Sequence, residues 1–97
     1  MHPETTLAAD QLHVDTFGDG PGALRVTVTG TIDRAGARRL HKAVINALRR
    51  HRPERITMDL TRASPLDPAG ERCLQLCQAD CLQMDCGFVQ IRPDTHR

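Results

Sequence analysis

Ninety-seven residues make one small domain with a modest core, because a chain this short hides only about 60–68% of its unfolded surface. An apolar fraction of 39% and a charged fraction of 26% belong to a globular chain rather than a disordered one. Thirteen basic against 12 acidic residues leave a net charge of +1, which excludes a global field aimed at nucleic acid or membrane, and two Phe with no Trp or Tyr exclude an aromatic stacking platform.

No stretch approaches the roughly 18–20 apolar residues of a membrane span, so no membrane insertion is expected. The first nine residues carry no basic patch followed by an apolar run, so a secretory signal is not expected either. A cytoplasmic location without a disulfide framework follows as the expectation. Residues 1–10 and 93–97 read as flexible tails of a single domain over 1–97.

Gln11 to Phe17 reads as a short strand, and the Gly18-Asp19-Gly20-Pro21-Gly22 run reads as a turn. Leu24, Val26 and Val28 alternate with Arg25, Thr27 and Thr29, the period of a strand with one buried face. The two strands predict an antiparallel hairpin ended by Gly30. Asp33 stands where a helix cap is needed, and Ala37, Leu40, Val44, Ala47 and Leu48 then recur at spacings of three and four up to Pro53. Eight Lys or Arg lie between Arg34 and Arg55 against Glu54 alone. They read first as a solvated helix face, second as a docking face for an acidic partner. Nucleic acid is the weaker reading, since nothing here reads or stacks on bases.

Ile56, Met58 and Leu60 alternate as a third strand, with Asp59 on the other phase. An unpaired buried carboxylate is costly, so Asp59 is expected in solvent or held by backbone N–H groups. Asp67 is a second cap and Pro68 takes the first helical position, where a missing N–H costs nothing. This helix is expected to reach about Asp85 and to end at Gly87, before a last strand at Phe88 to Ile91. A hairpin followed by helix, strand, helix and strand predicts an α/β fold: a mixed sheet with at least two helices against it.

Cys73, Cys77 and Cys81 recur every four residues, so they form one helical stripe and cannot surround an ion as two chelating pairs do. They read as core filler, Cys86 as the most exposed thiol, and no metal or other cofactor is expected. Asp80 falls in phase with Cys73 and Cys77, which calls for a wet turn or a partner there. The five histidines read as surface or boundary residues. Asp33, Asp59 and Asp67 stand near strand or helix ends and fit convergence at one end of the sheet. Without a phosphate-cradling loop or an adjoining base they carry no catalytic reading.

The stretch from Ile56 to Gly70 resembles the signature of the STAS domain, a family that includes bacterial anti-sigma factor antagonists, stressosome proteins and the cytoplasmic tails of sulfate transporters. The resemblance rests on Asp59-Leu60-Thr61, then Asp67 to Gly70 at the family's separation, and upstream on Gly30-Thr31-Ile32-Asp33. It covers residues 12 to 93. It implies a non-enzymatic interaction module whose partner is a kinase-like anti-sigma factor or another STAS-binding protein. The partner surface it implies is Asp33, Asp59, Asp67, Pro68, Ala69, Gly70 and Glu71. The alternative it implies is a structural subunit of a transport or lipid-trafficking complex.

In such antagonists the second Ser of an Asp-Ser-Ser-Gly motif receives a regulatory phosphate. Here Pro68 and Ala69 stand at the two Ser positions, so Ala69 replaces the acceptor and cannot be phosphorylated. Glu71 stands where the family carries an apolar contact residue. The family pattern also continues past its fourth strand, whereas this sequence stops at Arg97, which implies a STAS-like sheet truncated there and self-association or a partner to cover it.

Overall fold

The computed structural model describes residues 12–93. The expected tails, 1–10 and 93–97, fall outside the described residues except for Pro93. The elements run β1 (His13–Gly18), β2 (Ala23–Gly30), α1 (Arg34–His51), β3 (Arg55–Ala63), α2 (Pro68–Gln83) and β4 (Gly87–Ile91).

The four strands lie side by side in chain order. β1 and β2 pair antiparallel, with Val14 opposite Val28, while β2–β3 and β3–β4 are parallel pairs joined through the two helices. The result is the expected α/β mixed sheet. Val26, Val28, Ile56, Met58 and Leu60 are buried, and they form one core with Leu40, Val44 and Leu48 of α1 and Leu74, Cys77 and Cys81 of α2. The alternation read from β2 and β3 is therefore the inward face of the sheet, under both helices.

The other face of the sheet carries Arg25, Thr27 and Thr29 of β2 and Thr57 and Asp59 of β3. The β2–β3 ladder slips between Thr27–Asp59 and Thr29–Arg62, so β3 holds one extra residue there. Such a bulge frees backbone groups from the ladder. Asp59 Oδ1 accepts from the Thr61 N–H at 3.0 Å and from the Thr61 hydroxyl at 2.7 Å, and its other oxygen accepts from Arg25 Nη1 at 3.1 Å. The expectation that Asp59 needs backbone N–H support holds, with Arg25 added.

Helix ends follow local chemistry. α1 stops at Arg52, whose left-handed φ of 45° and N–H bond to the Leu48 carbonyl close the last turn before Pro53. Two expectations at the end of α2 need correction. The helix stops at Gln83, not Asp85, and Gly87 opens β4 rather than ending the helix. The reversal falls to Asp85, with φ 56°, after Cys81 and Leu82 carbonyls have taken the Met84 N–H. Cys86, expected to be the exposed thiol, is 3% exposed. That tight reversal turns its side chain back beneath β4, into the core.

The Asp59 contacts generate a pH-dependent test. The Thr61 N–H and hydroxyl, with Arg25 beside them, hold the Asp59 carboxyl below its usual range. A depressed folded pKa stabilises the fold above the unfolded pKa and loses that stabilisation as pH falls through the folded value. Asp59→Asn should cost on the order of 1–2 kcal/mol at neutral pH, a loss that shrinks as the pH falls through the depressed folded pKa. Urea denaturation of both proteins at several pH values measures it; a pH-independent difference would contradict the assignment.

Candidate functional site

Both parallel crossovers start a helix at the same end of the sheet. A helix start leaves N–H groups without intrahelical acceptors, and an Asp just outside it can take one. Asp33 Oδ1 accepts from the Gly36 N–H at 2.7 Å and Asp67 Oδ1 from the Gly70 N–H at 2.8 Å. Pro68 opens α2 where no N–H is needed. The two preceding loops are tied directly: the Ser64 N–H donates to the Gly30 carbonyl at 2.8 Å, and the Thr31 and Ser64 hydroxyl oxygens stand 3.3 Å apart. Gly30 itself sits at φ 98°, a conformation suited to glycine.

Gly70 packs closely under the loop: a Cβ placed there would lie 2.9 Å from Leu66 Cδ2, so the Leu66 side chain would have to shift. Pro68 is exposed and Ala69 half-buried, so the first turn of α2 is presented while Gly70 is enclosed. Glu71 does not point freely outward. Arg92, just past β4, donates to it bidentately at 2.9 and 3.0 Å and also grips Gln90 Oε1. Arg92 holds the Glu71 carboxyl below its usual range.

Of the sequence-derived positions, the fold brings together Asp33, Asp67, Pro68, Ala69 and Gly70 at the paired helix starts. Glu71 borders them. Asp59 does not join them: it lies on the sheet face away from the helices, spent on Thr61 and Arg25, and the expected three-carboxylate convergence does not form. Among the described residues no three His, Cys, Asp or Glu side chains gather closely enough to hold a metal ion. No helix among the described residues is long and apolar enough to cross a membrane.

The cysteine stripe packs between the helices. Cys73, Cys77 and Cys81 are buried, and Cys73 Sγ donates to the Ala37 carbonyl of α1 at 3.2 Å. Burial pushes the Cys81 thiol up to about 12, which makes it inert at neutral pH. Asp80 resolves differently from the wet turn considered above: it bonds His41 Nε2 of α1 at 2.5 Å. That pair was missed because its members lie 39 positions apart; the misplaced carboxylate on an apolar phase was the only trace of it. Arg92, whose partner is 21 positions away, left no trace at all.

Comparison with protein-family models and with curated proteins finds no match. Solved structures do match. A protein named Mglu superposes with a TM-score of 0.73 at 16% identity over 86% of this chain, which spans only 20% of Mglu. An anti-sigma factor antagonist from Mycobacterium paratuberculosis gives 0.72 at 24% identity, covering 86% of this chain and 68% of its own. An antisigma-factor antagonist STAS domain from Rhodobacter sphaeroides gives 0.68 at 15% identity, covering 82% and 85%. At these identities the likeness is one of fold, and the fold is STAS-like.

The exposed first turn of α2 has no hydroxyl, which sets a direct test. After incubation with a kinase that phosphorylates STAS domains, intact mass and peptide mapping should find no phosphate from Asp67 to Gly70, whereas Ala69→Ser should gain one. Phosphate on Ser64, the nearest loop hydroxyl, would overturn this reading.

Proposed function

We propose that this chain is a non-catalytic protein-interaction module that acts as an anti-sigma factor antagonist lacking the phosphorylation switch. Its partner is a kinase-like anti-sigma factor, and its working surface is the start of α2, from Asp67 to Gly70, bordered by Asp33 and Glu71. The observation that carries this reading is the capped, loop-locked turn at Pro68 and Ala69, presented to solvent on a fold shared with two anti-sigma factor antagonists. A surface already rigid before contact avoids the ordering cost that a loose loop would add to binding. Ala69 keeps that surface permanently in the form without phosphate, so regulation falls to the amounts of chain and partner rather than to a covalent mark. Glu71, neutralised by Arg92, presents less charge to a partner than its sequence position suggests.

Self-association is a second reading, favoured by one observation. β4 is an edge strand with Val89 45% exposed, and Met84 beside it is 39% exposed. Cys81, three residues before Met84, is fully buried and adds nothing to this exposed patch. A light-scattering mass of one chain at low micromolar concentration would overturn this second reading, and a mass of two would support it.

Affinity capture from the native host, read by mass spectrometry, tests the principal reading. Ala69→Glu is the informative variant. It adds a negative charge in the first turn, which the helix dipole tolerates, so folding should survive while a neutral part of the surface becomes charged. The wild-type chain should retain a kinase-like protein and Ala69→Glu should lose about tenfold or more of it. Equal capture by both would overturn the assignment of the surface; recovery of transporter subunits instead would favour the structural-subunit alternative.

A further inference from the structure

The groove between the starts of α1 and α2 is a cavity of about 390 Å³. Its floor is apolar, with Ala37, Ala69 and a half-exposed Leu76, and its rim is Arg34 and Arg38 from one helix and Arg72 from the other. All three arginines are exposed. Among the described residues none of them has a carboxylate within salt-bridge distance. The acids that could have neutralised them are committed elsewhere: Asp33 and Asp67 to their helix caps, Glu71 to Arg92, and Asp80 to His41.

The His41–Asp80 contact crosses from helix to helix and closes the inner end of this groove. A second depression lies on its far side, lined by Ile45, Leu48, Asp80 and Met84. The arginine groove is therefore short, open at the helix starts, and about the size of a few side chains. The capping carboxylates of Asp33 and Asp67 offset the positive ends of the two helix dipoles, so the positive charge of the groove comes from its three arginines.

We propose that this groove is the docking site for an acidic peptide segment of a protein partner, one that carries a small aliphatic side chain between carboxylates. The aliphatic group covers the Ala37, Ala69 and Leu76 floor while the carboxylates pair with Arg34, Arg38 and Arg72. Guanidinium groups suit this role because their forked donors meet a carboxylate with two parallel bonds. A small inorganic anion would satisfy the rim and leave the apolar floor bare. The site names the chemistry of the partner in the interaction reading above and rests on that reading. It also divides the arginines that looked equivalent in sequence: Arg34 and Arg38 belong to the groove, while Arg49, Arg50 and Arg52 lie at the other end of α1.

The probe is a synthetic peptide with two glutamates on each side of a leucine, titrated into isotope-labelled protein and followed by backbone amide shifts. Saturable shifts should cluster at Ala37, Ala69, Arg72 and Leu76, with Kd on the order of 100 μM. Arg34→Gln with Arg72→Gln should weaken binding about tenfold or more, while Arg49→Gln with Arg50→Gln should change it less than about twofold. A glutamine-for-glutamate peptide should not bind. Equal losses in both double variants, or shifts spread evenly along α1, would reduce the effect to general charge attraction and overturn the proposal. Displacement of the peptide by equimolar inorganic phosphate would also overturn it, assigning the groove to a small anion. The two readings separate cleanly: partner capture retained by Arg34→Gln with Arg72→Gln, with no peptide bound by the wild-type chain, removes the groove and leaves the interaction module standing. Peptide bound at the groove without any captured kinase-like protein supports the groove alone.

Discussion

The hydrogen bond from the Ser64 amide to the Gly30 carbonyl joins the two loops on which everything presented by this domain depends. Each loop delivers an aspartate to a helix start, and each aspartate satisfies a backbone amide that would otherwise lack an acceptor. Tying the loops together fixes the relative position of α1 and α2 at that end of the sheet. The bulge in β3 feeds the same arrangement from below, since Asp59 holds the irregular turn of strand that leads into Ser64. Pro68, Ala69 and the arginine groove are consequences of that joint rather than separate features.

Packing explains how the helices can lie close enough to share a groove. Small groups meet along their contact: Ala37 on α1, Cys73 and Cys77 on α2, with the Cys73 thiol donating directly to the Ala37 carbonyl. Larger side chains there would force the helices apart, and a void would cost dispersion contacts. A thiol fills the space at modest volume and brings only a weak polar group, so the stripe needs no metal or disulfide to justify it. Among the described residues, the strongly polar side-chain contact across the same seam is His41 with Asp80, and it ends the groove instead of opening it.

What could be read from the sequence was what depends on near neighbours. Alternation gave β2 and β3, threefold and fourfold spacing gave α1, and Asp33, Asp67 and Pro68 marked helix starts correctly because capping acts within three residues. Errors gathered where distant segments decide the outcome. The end of α2 was misplaced because Asp85, a residue with ordinary turn preferences, takes the left-handed position that Gly87 was better suited to hold. Cys86 was misjudged because its burial comes from β4 folding back beside β3. Asp59 was grouped with Asp33 and Asp67 by its nearness to a strand end, although strand phase sends it to the opposite face of the sheet. The arginines of α1 looked like one charged face; only the position of α2 separates the groove pair from the rest.

On this reading of the fold, the paired helix starts form a rigid surface before any partner arrives. Amide hydrogen exchange at Gly36 and Gly70 measures this most directly, because those two N–H groups are the ones the aspartates hold. Both should be protected to within about tenfold of the core amides of β2 and β3, and Asp67→Ala should accelerate Gly70 while the β2 amides change far less. Exchange of Gly36 and Gly70 near the rate of an unstructured chain, with the sheet still protected, would contradict it.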